Sequence, residues 1–202
     1  MSKVLKVNRQ NLKKIIKIAI NLIRQGEVLV CPTDTVYGLV ADATNKKAVK
    51  KLFKIKKRKS KNALPIFVKD LKMAKRFSEI NKEKEKILRK VWPGKVTVIL
   101  KKKKGVKIFG VDRKTIGLRI PNYKLVKILL SKIKKPLTGT SANISGKPAS
   151  TKIKAVISQF KNKEDLPDLI LSVGNLKKSL PSTVIDLTSK KFKILREGEI
   201  RI

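Results

Sequence analysis

Histidine is absent from the 202 residues, cysteine occurs once, and 14 Asp+Glu face 52 Lys+Arg, leaving a formal net charge of +38. Each shortage excludes a chemistry. Without histidine there is no Ser-His-Asp or Cys-His nucleophile and no HExxH metal site. The lone Cys31 permits neither an internal disulfide nor a cysteine cluster for zinc, and fits a reducing compartment. Six Phe, two Tyr and one Trp supply few rings, whereas base readers rely on Arg forks and exposed aromatics. No stretch approaches the roughly 20 apolar residues of a membrane span, and Met1 to Lys6 lacks the apolar block of a signal peptide. A cytoplasmic protein is expected, whose catalysis must rest on charge, hydroxyls and backbone amides.

What is present is an apolar fraction of 41%, enough for a core, and a length that suits one domain over 1–202. Of the 52 cations, 43 are lysine, spread along the whole chain. A polyanion partner is one reading, because neutralising phosphates releases counterions. Composition is the simpler reading for most of them, since many fall on helix positions that face water, as in Lys13, Lys14 and Lys17. The one uninterrupted run, Lys101 to Lys104, falls where a loop is expected.

The periodicity alternates between the two regular structures. Candidate strands are 4–7, 28–31, 64–68, 96–100, 116–120, 137–140, 169–173, 184–187 and 192–195. Helices are expected from Asn8 to Arg24, stopped by Gly26, over 46–56 behind Thr44-Asn45, after Asp70, over 82–91, 123–131 and 152–160. That alternation implies one sheet flanked by helices, with ligands held beyond strand ends.

Four polar segments leave those strands and helices. Pro32-Thr33-Asp34-Thr35-Val36-Tyr37-Gly38 carries hydroxyls and an acid away from a buried strand. Lys56 to Asn62 puts cations at a helix end, which suits the helix dipole and would equally clamp a triphosphate, with Arg58 able to make two parallel bonds to one phosphate. Thr138 to Pro148 is rich in small residues that let backbone amides approach an anion, although its spacing is not that of a Walker A loop. Ser182-Thr183 and Arg196-Glu197-Gly198 look like two strands of a hairpin. Together they describe a basic, hydroxyl-lined cleft without a general base of neutral pKa, suited to phosphate chemistry driven by positioning and electrostatics.

In this order, Pro32 to Leu39, Lys56-x-Arg58 with Asn62, Trp92-Pro93-Gly94 with Thr97, Ile116 to Pro121, Ser141-Ala142-Asn143 with Ser145-Gly146, Ser182 to Ile185 and Leu195 to Gly198 resemble the YrdC-like threonylcarbamoyl-AMP synthases over about residues 8–199. The chain is similar to the short, single-domain form of that family. The resemblance implies an α/β fold, a twisted open mixed sheet flanked by helices around a large basic cavity. It also implies a reaction, in which L-threonine, bicarbonate and ATP give threonylcarbamoyl-AMP and pyrophosphate with Mg²⁺. A downstream threonylcarbamoyl transferase complex then modifies tRNA, and weak binding to tRNA or double-stranded RNA is implied as well. The alternatives are an RNA-binding module of this fold without synthase activity, and a carbamoyl-adenylating relative.

By position, the resemblance assigns Lys56 and Arg58 to catalysis, and Thr33, Arg119, Gly139 and Ser182 to threonine. Arg58, Asn62, Thr115, Ser141, Ala149 and Arg196 go to ATP, with Tyr37 and Asn143 as supports. No residue is assigned to a metal. This chain departs from the family's usual pattern at Asp34 (more often Glu), at Lys57, Lys59 and Ala63, at Phe67 (often His in longer relatives) and at Ala149 (often Ser).

Overall fold

The computed structural model describes residues 2–59, 62–189 and 192–201. Short polar side chains start several helices. Asn45 accepts from the amides of Lys47 and Ala48 to open α2 (Lys46–Lys56), and Asp70 and Asn81 do the same for α3 (Leu71–Phe77) and α4 (Lys82–Val91). The side-chain oxygens of Asn8 and Asn11 each accept the other's backbone amide, so α1 begins later than Asn8 suggests, at Leu12, and runs to Gln25. Gly26 then takes a φ of +91° and closes that helix, its amide donating to Ile23 O and the Glu27 amide to Leu22 O. The remaining helices are α5 (Lys124–Ile133) and α6 (Ile153–Phe160).

The strands assemble into two sheets where the alternation suggested one. One contains β1 (Lys3–Lys6), β9 (Leu169–Ser172), β2 (Leu29–Cys31), β3 (Gly38–Val40) and β8 (Thr140–Ser141), in that order. The other contains β11 (Lys193–Arg196), β10 (Thr183–Asp186), β5 (Val96–Lys101), β6 (Thr115–Arg119), β4 (Ile66–Phe67) and β7 (Leu137–Thr138). Both mix parallel and antiparallel pairs. The division arises at Gly139, where the single strand expected over 137–140 breaks. β7 stays in one sheet and β8 crosses to the other, while the Gly139 amide donates to Pro65 O at 2.8 Å.

Helices cover three of the four sheet faces. α1 and α5 pack on one side of the five-stranded sheet, burying Ile15, Ile23, Leu29, Val126 and Leu129. α2 and α6 cover its other side around Val30, Leu39, Leu52, Val156 and Phe160. α3 and α4 cover one side of the six-stranded sheet, where Val96, Val98, Leu100, Ile116 and Leu118 meet Met73, Phe77 and Leu88. On β5 and β6 the residues between these, Thr97, Ile99, Gly117 and Arg119, face the other way, as the two-residue period of a strand demands. That fourth face, turned toward the junction of the sheets, is where the polar segments gather.

Candidate active site

β2 is wholly buried, and the chain leaving it must turn sharply to return as β3. The turn is built from the hydroxyls of the Pro32 to Gly38 segment. Thr33 Oγ1 donates to Val36 O at 2.7 Å, accepts from the Thr35 amide at 3.1 Å, and lies 3.1 Å from Thr35 Oγ1. Thr33 is thereby used within the turn, and its neighbours Thr35 and Val36 reach the cavity wall instead. Tyr37 is fully buried as a strut, donating to Gly174 O at 2.5 Å and accepting from the Val173 amide at 3.2 Å.

Asp34 projects from the same turn to Arg119, the last residue of β6. Arg119 Nη2 donates to Asp34 Oδ1 at 2.7 Å, Nε to Gly94 O at 2.9 Å, and Nη1 to Thr35 Oγ1 at 3.3 Å. The second Asp34 oxygen accepts from the Asn122 amide at 2.9 Å. The two side chains are only 4% and 8% exposed. Burial lowers the Arg119 pKa, and the Asp34 charge opposes that shift, so the guanidinium keeps its charge. The Phe67 ring centre lies 5.8 Å from the central carbon of that guanidinium, and the ring fills the space where a Cβ on Gly139 would sit.

Lys56 ends α2 and, although lysine is rarely fully buried, only 2% of it is exposed. Its Nζ donates to Ser141 O at 2.7 Å, Asn143 O at 2.9 Å and Asn143 Oδ1 at 3.0 Å, all neutral acceptors. Asn143 is held for this task, since Ser141 Oγ donates to its Oδ1 at 2.5 Å and its own amide donates to Ile144 O and Lys147 O. With no anion nearby, burial first and the Arg58 charge second push the Lys56 pKa down to about 7. A group of near-neutral pKa therefore lies behind the cleft wall, where the sequence context of a helix-terminal lysine suggested a solvated cation.

The remaining cations fold back onto the backbone. Arg58 donates to the carbonyls of Asn62 and Ala63 at 3.0 and 2.9 Å. Arg196, on β11, donates to Ser182 O from Nε and Nη2 and to Ser182 Oγ at 3.1 Å. Ser182 Oγ lies 2.9 Å from Thr97 Oγ1 on the adjacent strand.

These groups enclose a cavity of about 280 Å³ whose wall includes Arg58, Arg119, Gly139, Ser141, Ser182 and Arg196, together with Thr35 and Thr97. Small-molecule sites usually span roughly 300–1,000 Å³, so the large basic cavity expected by resemblance is not what the structure displays. Val36 and Pro181 separate this space from a neighbouring cavity of about 610 Å³ that contains Ala149. Lys56 and Asn143 stand directly behind Ser141. Asn62 and Thr115 do not line the smaller cavity; Thr115 donates to Asp112 Oδ1 at the opposite end of β6. In the Lys56 to Asn62 loop, Ser60 and Lys61 lie outside the described residues. Two contributors belonged to motifs but were given no role from the sequence: Thr97, which follows Trp92-Pro93-Gly94, and Asp34, the acid of the Pro32 to Gly38 segment.

A family model of the Sua5/YciO/YrdC domain, described as telomere recombination, matches residues 21–198. A putative threonylcarbamoyl-AMP synthase of Methanocaldococcus jannaschii is 36% identical over 200 residues, covering 99% of this chain and 93% of that protein. A threonylcarbamoyl-AMP synthase of Pyrococcus abyssi is 35% identical over 185 residues, and there the match spans 91% of this chain but 54% of the relative. The crystal structure of Sua5 from P. abyssi complexed with L-threonine superposes with a TM-score of 0.84 at 32% identity, over 98% of this chain and 57% of that one.

Proposed function

The chain belongs to the Sua5/YciO/YrdC family, and from that premise we propose that it is a threonylcarbamoyl-AMP synthase, condensing L-threonine, bicarbonate or CO2, and ATP. The observation that carries this reading is the convergence of Arg58, Arg119 and Arg196 with the Ser141, Ser182 and Thr97 hydroxyls on one cavity, with Lys56 behind it. The names borne by the M. jannaschii and P. abyssi proteins, and the threonine in the latter's structure, support the choice of substrate.

The reaction needs no histidine. The threonine amine adds to CO2 as a carbamate, a carbamate oxygen attacks the α-phosphorus, and pyrophosphate leaves. The protein's part is to hold three anions together and to offset the charge that grows on the leaving oxygens. Arg58 and Arg196 donate to neutral carbonyls in the free protein, and a phosphate offers the opposite charge and a bidentate partner, so arriving ATP draws both side chains off the backbone and enlarges the cavity. Arg119 receives the threonine carboxylate through Nη1, its most weakly engaged nitrogen, while Asp34 and Gly94 O hold the rest of the fork. Phosphates close to Lys56 favour its charged form, making it a cation that switches on with the nucleotide.

No group of three or more His, Cys, Asp or Glu suited to a metal occurs among the described residues. The one acid beside the cavity among those residues, Asp34, is already paired with Arg119, so Mg²⁺ would be held chiefly by the ATP phosphates and water, where it would offset phosphate charge. A threonylcarbamoyl transferase is the consumer of the product. The test is chromatography of an incubation with ATP, bicarbonate and labelled threonine. The label should appear in an adenylate only when all three are present; an unlabelled adenylate formed from ATP and carbamoyl phosphate without threonine would move the chain to the carbamoyl-adenylating relatives.

A further inference from the structure

The strand face that floors the active-site cavity does not end with it. On β5, Thr97, Ile99 and Lys101 point to that face in succession, and β6 aligns Arg119, Gly117 and Thr115 beside them. The first two residues of each row line the active-site cavity, and the third residues line a second cavity of about 620 Å³. From Thr97 to Lys101 a strand advances about 13 Å, so the two cavities lie at opposite ends of one pair of strands.

The second cavity is bordered by Lys101, Lys102, Lys103, Lys104, Arg113 and Lys114. The expected loop is in fact tied down. Lys102 N donates to Lys114 O at 2.8 Å, Lys103 N to Phe77 O at 3.0 Å, and Glu79 N to Lys101 O at 2.9 Å. The fold thus holds six cations together, and among the described residues none of the six forms an ion pair. Glu79 is the acid on this wall, while the Asp112 carboxylate accepts from the amides of Lys114 and Thr115 and the Thr115 hydroxyl. Gathering like charges is unfavourable unless an anion sits among them.

We propose that this lysine cluster is a second anion site that takes inorganic pyrophosphate and similar condensed phosphates, placed at the other end of the strands that floor the active site. The source of the pyrophosphate rests on the synthase reading; the site itself does not. Lysines serve phosphate as mobile point charges, and a concave site of about 620 Å³ with cations around it fits a small condensed phosphate better than an extended nucleic-acid backbone.

The test is calorimetric titration of inorganic pyrophosphate into the parent, into the triple variant Lys101→Gln/Lys103→Gln/Lys114→Gln, and into a control, Lys13→Gln/Lys14→Gln/Lys17→Gln, that loses the same charge from α1. Two sites are expected in the parent and the control, and one in the cluster variant. Pyrophosphate should also inhibit the cluster variant at least about threefold more weakly, with the KM for ATP unchanged. One site in all three proteins overturns the proposal, as does an equal loss in the control. A short duplex RNA that binds the parent and loses affinity in the cluster variant, while pyrophosphate occupies one site throughout, gives the lysines to nucleic acid and overturns it too. A parent that forms no adenylate yet titrates with two sites contradicts the synthase reading alone. An active parent with one site contradicts the anion site alone.

Discussion

Arg119 and Asp34 form an ion pair of 2.7 Å beneath the cavity, each side chain almost completely withdrawn from water. The substrate-facing guanidinium is therefore already neutralised, and an incoming carboxylate must share it. Removing one member of a buried pair typically costs about 3–5 kcal/mol because the other charge is left uncompensated. Asp34→Asn is expected to lower stability in urea by that order, and L-threonine should then stabilise the variant more than the parent, since its carboxylate replaces the missing charge. Equal threonine-induced shifts in melting temperature in the two proteins would contradict this pairing of roles.

Arg119→Ala should raise the KM for threonine more than that for ATP, and Arg119→Lys should resemble it. A lysine keeps the charge but cannot reach Gly94 O, Thr35 Oγ1 and Asp34 Oδ1 together, as the planar fork does. Initial-rate kinetics with each substrate varied in turn decide the matter; a larger effect on ATP would exchange the two pockets.

Lys56 supplies a pH dependence of definite sign. Its folded pKa of about 7 lies below the ordinary 10.5, so between those values the unfolded chain binds the extra proton and stability rises with pH. Below about pH 7 both states are protonated and the burial penalty is present in full. Lys56→Met removes the group, so the difference in unfolding free energy between parent and variant should change steadily from pH 7 to 10 and be flat from pH 5 to 6. Titrating ATP at pH 8 should also show proton uptake in the parent and less in Lys56→Met, read from the buffer dependence of the binding heat.

Gly139 owes its lack of a side chain to a neighbour. A Cβ there would come within 2.4 Å of the Phe67 ring. Gly139→Ala should cost about 1–3 kcal/mol by overpacking, and Phe67→Leu in the same chain should return part of that loss. An unaltered denaturation midpoint in Gly139→Ala would show that the ring moves aside freely.

Much of the helical framework was legible because its signals are local. Asn45, Asp70 and Asn81 accept the amides expected of helix caps, and Gly26 takes the left-handed turn that ends α1. The division into two sheets was not legible, because it depends on a chain crossing at Gly139 and on pairing of Gly38 and Leu39 with Ser141 and Thr140, about a hundred residues later. The cavity wall followed a similar division. Ordered motifs brought Arg58, Arg119, Ser141, Ser182 and Arg196 to one place, but no local pattern shows that Thr33 spends its hydroxyl within its own turn. Lys56 has the sequence context of a solvated helix end; only the return of Ser141 to Asn143 over it, some 85 residues later, buries the amine.

The central claim is tested most directly by the rate of pyrophosphate release from ATP as each co-substrate is withheld. The account predicts release that requires L-threonine and bicarbonate together and falls to background without either. Release that persists without threonine, or that depends on carbamoyl phosphate in its place, would contradict it.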